Sequence, residues 1–447
     1  MSPANNALND ARGVPVSSCK PGSLDDFETA LLQFHSYFGD PVETLSTTLE
    51  SDPEFVLGHI FVASALLMMT ERQYLPMILE HIEIAESLAG KANSREKLLT
   101  TAARQWAEGR WDKAVITWDR VLAEYPRDAM ALQLAHLTDF YRGDCFNLRD
   151  RVGRVMASWD KKVPGYSYIL GMQAFGFEEC NQYEKAEIIA LDALEMEPRD
   201  AWSVHALAHV LEMQGRFEEG KTMFIDREKD WAPDNGFAFH NWWHLALYHI
   251  EHEDFDGALA LYDAQILPGD SDVYLQMADA SALLWRLHLQ QVDVGSRWDR
   301  LADLWVSKTP LENGYYAFND MHAVIAFVGS GRFEEAREVL TAVKSAALKN
   351  VGVTAMMAQD VGIATCSAMI AFAQQAYQEA IDLLLPIRTI AHRFGGSHAQ
   401  RDILTQTLIE SAIRGGDTHL ATNLISERKV HKPFTPLSQR FANKLAV

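Results

Sequence analysis

The stretch Asp200–Phe224, DAWSVHALAHVLEMQGRFEEGKTMF, decides the fold of this 447-residue chain. A small residue, Ala208, lies within its first apolar run. Gly215 follows seven residues later, the aromatic Phe217 two further on, and Gly220 three beyond that. Small residues let two helices pack closely, the aromatic fills the gap between them, and a turn between helices needs Gly or Asn near a C-cap. The stretch therefore predicts a pair of packed helices joined by a tight turn.

The same pattern recurs along the chain. Its aromatic position is occupied in successive copies by Trp111, Tyr183, Phe217, Phe255, Phe333 and Tyr377. The mid-helix positions of five copies, Ala102, His136, Ala174, Ala208 and Ala246, are 34, 38, 34 and 38 residues apart. Tetratricopeptide repeats have this period, and each helix pair must stack on its neighbours to bury its apolar face. We predict an all-α protein without a sheet, a right-handed superhelix of tetratricopeptide-like helix–turn–helix repeats (an α-solenoid) that closes a polar central pocket.

The repeats also predict the domain organisation. Residues 1–22 lack periodicity and are expected to form a loose N-terminal arm. Residues 23–440 are expected to form one continuous repeat array, regular over about 95–265 and looser over 266–440. A short final helix should begin at Pro436, since proline is favoured in the first helical turn.

Composition limits the function. The chain has 40 basic and 61 acidic residues, a formal charge of −21, which argues against nucleic acid and anionic membrane surfaces as partners. Cys19, Cys145, Cys180 and Cys366 form no CxxC pair and suggest reduced thiols in a cytoplasmic protein. We find no signal peptide, and the longest apolar runs fall short of the roughly 18 residues that a membrane helix needs.

The inward face of three central repeats carries an unusual set of side chains. In such stacks the first helix of each pair lines the concave side. Positions −6, −3, +1, +4 and +5 from the small residue share one helical face. Across the three repeats this stripe collects Tyr168, Phe175, Glu178, Glu179, Trp202, His205, His209, Glu212, Met213, His240, Trp243, Leu247, Ile250 and Glu251. His244 lies on the same helix as His240 but off the stripe.

Histidines, carboxylates and aromatics in one groove suit a compact pocket for a small or cationic ligand. The leading hypothesis is therefore a groove that binds a small molecule or a short peptide. The alternative is a hydrolase or lyase in which His205, His209 or His240 acts as general acid or base, oriented by Glu178 or Glu212. A plain interaction scaffold with these histidines packed in its core is the third. The sequence leaves a homodimer open.

A metal-assisted variant is also considered. His205 and His209 are four residues apart on one helical face, a spacing that can bind a metal, with Glu212 as a third ligand or as a hydrogen-bond partner of a ligand. The HExxH motif is absent, and we predict no metal ligand and no cofactor.

Two later segments add candidate binding residues. Asp320 and His322 are two apart in one predicted helix and so point to different faces. The run GGSHAQRDIL places Gln400, Arg401 and Asp402 at a helix start. Ser397 there is expected to cap the helix. Arg401 is a candidate clamp for a substrate carboxylate.

The blocks DAWSVHALAHVLEMQGRFEEG, HNWWHLALYHIEHEDFDGALALYD, FNDMHAVIAF, GGSHAQRDIL and KPFTPLSQR resemble the tetratricopeptide repeat protein 38 family over residues 25–440. The resemblance implies the repeat fold. It also implies that the residues of most consequence are His205, His209, Glu212, His240, Trp243, His244, Asp320, His322, Gln400, Arg401 and Asp402. It does not name a reaction.

Overall fold

A computed structural model describes residues 8–17, 19–349 and 351–445. Within them the chain divides into two compact units. Unit 1 takes the described residues up to Phe140, then Cys145–Ser203 and Asp234–Gly236. Unit 2 takes Tyr141–Asp144, Val204–Pro233 and the described residues from Phe237 onward.

Unit 1 is built almost wholly from helices. Its helices are α1 (Ser23–Ser36), α2 (Pro41–Ser51), α3 (Val56–Leu67), α4 (Leu75–Ser87), α5 (Ser94–Ala107), α6 (Trp111–Glu124), α7 (Ala129–Tyr141), α8 (Cys145–Val155), α9 (Tyr166–Glu179) and α10 (Tyr183–Met196). Short 3-10 turns lie at Arg72–Tyr74 and Met156–Ser158. Helices adjacent in the chain pack together, as in the pairs α3 with α4, α5 with α6 and α9 with α10.

The helix α11 (Ala201–Met213) gives its first three residues to unit 1 and the rest to unit 2. The remaining helices of unit 2 are α12 (Phe217–Asp226), α13 (Glu228–Trp231), α14 (Ala238–Glu251), α15 (Phe255–Leu261), α16 (Tyr274–Leu289), α17 (Arg297–Glu312), α18 (Ala317–Gly329), α19 (Phe333–Lys349), α20 (Gly352–Met357), α21 (Ile363–Ala373), α22 (Tyr377–Leu384), α23 (His398–Arg414), α24 (Thr418–His431) and α25 (Pro436–Lys444). Segments of π-helix lie at Tyr262–Ile266 and Ala358–Gly362, and a 3-10 turn lies at Ala391–Phe394.

The predicted turn is confirmed by backbone geometry. Two residues before each repeat aromatic, the chain adopts a positive φ of 59–78°, at Gly109, Asn181, Gly215, Glu253, Gly331 and Gln375. A left-handed residue just after a helix ends its hydrogen-bond ladder and reverses the chain, which is why Gly and Asn are common there. The small residue three positions after the aromatic is packed as expected, since a Cβ on Gly220 would meet the Tyr248 ring at 2.2 Å. The all-α helical-repeat fold is therefore confirmed.

The prediction of no sheet needs one correction. The strands β1 (Leu8–Asn9) and β2 (Pro15–Val16) pair antiparallel within the arm predicted over residues 1–22. Arg12 in their connection donates to Asp10 and Glu28, and the Ser17 N–H donates to Glu96 Oε1 at 2.8 Å. Residues 8–17 are thus held by buried polar contacts that composition alone does not reveal. Residues 1–7 and 18 lie outside the described residues.

One helix of unit 2 is more apolar than the sequence expectation allowed. α20, the following π-helical segment and α21 run as a single helix, Gly352–Ala373, long and apolar enough by length and composition to cross a membrane. Two thirds of its most apolar window is buried inside the fold, where α18, α19 and α22 pack against it. That burial is typical of a core helix.

Candidate functional site

Four histidines of unit 2 come together between two helices. α11 supplies His205 and His209, and α14 supplies His240 and His244; we call these four residues the histidine cluster. Each is at most 4% exposed. The sequence analysis placed the first three on a groove-lining stripe and left His244 off it. His244 nevertheless joins the other three, since its ring lies 4.4 Å from the His209 ring and 5.0 Å from the His205 ring, centroid to centroid.

The Nε2 atoms of His205, His209 and His240 lie close together. His205 Nε2 lies 3.0 Å from His209 Nε2 and 3.2 Å from His240 Nε2. His244 Nε2 is buried, and none of the described residues forms a hydrogen bond with it. A neutral imidazole has one N–H donor and one acceptor nitrogen, so one Nε2–H cannot donate to all the neighbouring Nε2 atoms. Several nitrogen lone pairs are therefore directed into one small volume.

Two carboxylates contact the Nδ1 atoms of two rings of the cluster, those of His240 and His244. Asp279, on α16, lies with Oδ2 2.7 Å from His240 Nδ1. Glu212, on α11, lies with Oε2 3.3 Å from His244 Nδ1. A carboxylate accepts from Nδ1–H and thereby fixes the ring orientation and leaves Nε2 unprotonated. Glu212 was predicted to support His205 and His209; the structure pairs it with His244 instead.

A buried ion-pair network continues from Glu212. Lys432 Nζ donates to Glu212 Oε1 at 2.7 Å. Arg428, on α24, donates to both oxygens of Asp402, on α23, at 3.0 and 2.7 Å. Burial disfavours the ionised form of both carboxylates. For Glu212, the effects of Lys432 and His244 outweigh that of burial and lower its pKa to about 2. Arg428 and Lys432 likewise hold the pKa of Asp402 well below its usual range. Both carboxylates are therefore ionised at neutral pH.

Burial keeps three of the four imidazoles of the cluster neutral, those of His205, His209 and His244. Loss of solvent contact, and then the neighbouring histidines, lower the pKa of His205 and of His209 well below 6.5. Burial lowers the pKa of His244 to about 4, although Glu212 acts in the opposite direction. Neutral imidazoles offer lone pairs rather than charge.

Trp243 and Arg286 complete the surroundings of the cluster. Trp243 stacks on His240, with ring centroids 5.4 Å apart and an interplanar angle of 14°. The Arg286 guanidinium lies 5.2 Å from the Trp243 ring centroid and donates to the Ala282 and Ala399 carbonyls at 3.1 and 2.7 Å. Burial lowers the pKa of Arg286 to about 10, so it remains a cation at neutral pH.

The other candidate residues of unit 2 have local structural partners. The Gly314 N–H donates to Asp320 at 2.8 Å, and His322 Nδ1 donates to the Phe318 carbonyl at 2.8 Å. Gln400 completes a capping box with Ser397, which confirms that cap. Arg401 contacts the Gly396 carbonyl, and its Nη2 lies 3.2 Å from His398 Nδ1. A role for these side chains in ligand binding stays a prediction.

Glu178, Glu179 and Trp202 belong to unit 1. The two glutamates lie on α9 and are 0% and 4% exposed. Trp202 packs edge-on against Phe175 and His136, at centroid distances of 5.0 and 6.0 Å. Their predicted part in ligand binding stays a prediction.

Unit 1 has a small pocket of its own beside Trp202. Its lining combines aromatic rings with two histidines and one amide: His35, Tyr37, Gln133, His136, Leu137, Tyr168, Met172 and Trp202. The accessible volume of about 10 Å³ has room for one water molecule. The ring nitrogens of His35 and His136 are buried without a well-formed hydrogen bond. Sequence reasoning missed His35, because it lies outside the repeats that were compared.

The buried His136 should make stability depend on pH. Burial lowers its pKa to about 3, so the folded chain binds fewer protons than the unfolded chain between pH 3 and 6.5. Stability from this group is therefore complete above pH 6.5 and is lost as the pH falls. Between pH 7.5 and 5.0 we expect His136 to account for about 2 kcal/mol of lost stability. His136→Phe should remove that part, measured by urea unfolding at both pH values.

Two other buried groups, His35 and Asp200, also make the stability depend on pH. His35, whose pKa burial and Arg12 lower to about 3, acts in the same direction as His136. Asp200, whose pKa burial raises to about 7, acts in the opposite direction. The informative quantity is therefore the difference between wild type and His136→Phe at each pH. An equal loss of stability in both proteins would contradict the prediction.

Sequence reasoning missed Asp279, Arg286, Arg428 and Lys432. A signal exists for the first two. Ala282 follows Ala246 by 36 residues, and taking it as the next small position puts Asp279 at −3 and Arg286 at +4, on the same stripe as the histidines. The segment lies in residues 266–440, where the repeats are looser, and the stripe was not extended to it. Arg428 lies on α24 and Lys432 just after it. The stripe is defined only for the first helix of each pair, so it does not include them.

Comparison with known proteins finds similarity to solved structures at low sequence identity and low TM-score. No protein-family model matches the chain. Among solved structures it is similar to the human IFIT1 dimer with m7Gppp-AAAA, at 12% identity over 96% of this chain and 95% of that one, with a TM-score of 0.44. It is also similar to yeast Tom70 (13% identity, 82% and 90% covered, TM-score 0.35) and to a chain of the APC/C hetero-tetramer Cut9–Hcn1 (12%, 91% and 78%, 0.38). Likenesses of this size say nothing about a ligand of this chain.

The repeated turn and packing place the chain in the class of tetratricopeptide-like helical-repeat proteins. Within that class, this chain is distinguished by the buried histidine cluster of unit 2 and the carboxylates that hold it.

Proposed function

We propose that this helical-repeat protein binds a small ligand at the histidine cluster. The observation that carries the proposal is the burial of four neighbouring imidazoles, three of them close together through Nε2, while Asp279 and Glu212 hold two of the rings in place. Buried polar groups are costly unless they are paired or used, and His244 Nε2 has no hydrogen-bond partner in the part of the chain that the structure describes. Full burial favours a small ligand over a peptide, which needs an open groove.

Several finer statements stay predictions. Catalysis by these histidines, as a hydrolase or lyase, is one of them, and a scaffold role is another. Membership of the tetratricopeptide repeat protein 38 family stays a resemblance carried by the residues quoted above. A cytoplasmic location is part of the proposal, supported by Cys19, Cys145, Cys180 and Cys366, which form no disulfide within the described residues. A homodimer and the lack of nucleic-acid and membrane partners also stay predictions.

The test is a thermal-shift screen of the full chain against metal ions and small polar metabolites. A ligand at 100 times its Kd stabilises the folded state by about 2.7 kcal/mol, which corresponds to about 5–10 °C in Tm. We expect such a shift in wild type and its loss in His205→Ala and in His240→Ala.

The matched control for this screen is His249→Ala. His249 lies on α14 like His240, but it is partly exposed and bonds to Asp254 at 2.6 Å. The control should keep the full shift. A shift that persists in both cluster variants, or no shift with any compound, would overturn the proposed site.

A further inference from the structure

The spacing of nitrogen atoms in the histidine cluster matches that of metal ligands. One ring nitrogen from each of His205, His240 and His244 lies within 4.8 Å of the other two, and His205 Nε2 and His240 Nε2 are 3.2 Å apart. Nitrogens bound to a tetrahedral Zn²⁺ at 2.0–2.1 Å are about 3.3 Å from one another. The three rings therefore need only small movements to bind one ion.

The carboxylates of the cluster are arranged as they are around bound metals. A metal-ligating histidine usually donates its second N–H to a carboxylate, which fixes the tautomer and makes the ligand nitrogen more basic. Asp279 does this for His240 and Glu212 for His244, at 2.7 and 3.3 Å. Two of the three rings thus carry their lone pair on Nε2, and within the described residues His244 Nε2 has no hydrogen-bond partner.

The surrounding charges favour a cation. Asp279 and Glu212 contact the cluster directly, while Asp402 and Glu251 lie in the adjoining network. Against these four carboxylates stand three buried cations, Lys432, Arg428 and Arg286. Asp279 and Glu212 lie nearest the rings, so a cation bound there would be close to two carboxylates. A divalent cation bound to the rings would be attracted by these two carboxylates.

We propose that His205, His240 and His244 bind one transition-metal ion of the Zn²⁺ class through Nε2. Imidazole suits Zn, Cu, Fe and Ni, whereas Mg²⁺ and Ca²⁺ require oxygen ligands. A site with three protein ligands leaves a fourth position, and His209 Nε2, 3.0 Å from His205 Nε2, lies beside it. His209 is either the fourth ligand or the hydrogen-bond partner of a water there. The inference rests on the proposed function, because it names the ligand of that same cluster.

The experiment uses the full chain, stripped with a chelator and then titrated with Zn²⁺ alone and with Co²⁺ alone. We expect one Zn²⁺ per chain by elemental analysis, and a visible absorption band of tetrahedral Co²⁺. His205→Ala and His240→Ala should lose both signals. Asp279→Asn, which leaves every nitrogen ligand in place, should bind about 10- to 100-fold more weakly. His249→Ala should match wild type.

Far-UV circular dichroism of each variant separates loss of binding from loss of folding, and Asp279→Asn keeps the test informative if an alanine variant unfolds. Wild type that binds no stoichiometric metal, or full binding by folded His205→Ala and His240→Ala, would overturn the metal assignment. If an organic ligand still gives a thermal shift that depends on these histidines while no metal binds, the proposed function stands and only this inference fails.

Discussion

Replacing Arg428 by methionine is expected to lower the free energy of unfolding by about 3–5 kcal/mol, because it leaves the carboxylate of Asp402 buried without its main partner. The Arg428 guanidinium donates to both Asp402 oxygens and to the hydroxyls of Thr435 and Ser438, at 2.7 and 2.6 Å. It is 3% exposed, so water cannot replace these contacts. Urea unfolding followed by far-UV circular dichroism, with hydrogen exchange over α23 and α24, measures the effect.

The matched control is Arg388→Met, which removes another ion pair of unit 2. Arg388 pairs with Glu427 at 3.2 Å, but both side chains are at least 40% exposed. Exposed pairs contribute about 0–1 kcal/mol, so the control should change stability little. Adding Asp402→Asn to Arg428→Met should recover part of the loss, since it removes the stranded charge. Equal losses in the two single variants would show that burial of the Asp402 pair is not the cause.

The network around Arg428 also bears on the histidine cluster. Lys432 lies between the two carboxylates, 2.7 Å from Glu212 and 3.8 Å from Asp402. Without Arg428, Lys432 is drawn more strongly toward Asp402, which weakens its hold on Glu212. Glu212 in turn orients His244. The stability of unit 2 and the geometry of the candidate site therefore depend on the same side chains.

The helices and turns could be predicted because their causes are local. A small residue, a positive-φ turn residue and an aromatic at fixed spacing specify one helix pair without reference to the rest of the chain. Gly215, Phe217 and Gly220 do this within six residues. The arm near residue 12 could not be predicted, since Arg12 is held by Asp10 and Glu28, whose roles depend on three-dimensional packing.

The candidate site could be predicted only in part. Helical periodicity brings His205, His209 and His240 to one face, but it assigns His244 elsewhere because it considers a single helix. The structure packs α11 against α14, and the flank of α14 that carries His244 faces His209. Lys432 joins Glu212 from 220 residues away in the sequence, a contact that no periodic pattern encodes. Contacts between side chains of different repeats therefore cannot be predicted from the pattern within a single repeat.

Substituting the aromatic residue of a repeat tests the packing of its helix pair directly, because that residue fills the gap between the two helices. Trp111 begins α6 and stacks on Trp106 of α5, with ring centroids 4.3 Å apart and an interplanar angle of 14°. Both rings are 1% exposed. Trp111→Ala should destabilise unit 1 by about 3–5 kcal/mol, because it removes the aromatic that fills the gap between the two helices and leaves a cavity. Hydrogen exchange of α5 and α6 and urea unfolding by circular dichroism measure the change.

Ile116→Ala on the same helix is the matched control for Trp111→Ala. Ile116 is 55% exposed, so its truncation should stay within about 0.5 kcal/mol of wild type. Both substitutions place alanine in α6 and so share its favourable helix propensity, which means that a difference between them reports packing rather than helix formation. Faster exchange should appear in α5 as well as α6 for Trp111→Ala, since the two helices lose a common contact. If exchange rose only in α6, the aromatic would stabilise its own helix rather than join the pair, and the physical basis assigned to the repeat would be wrong.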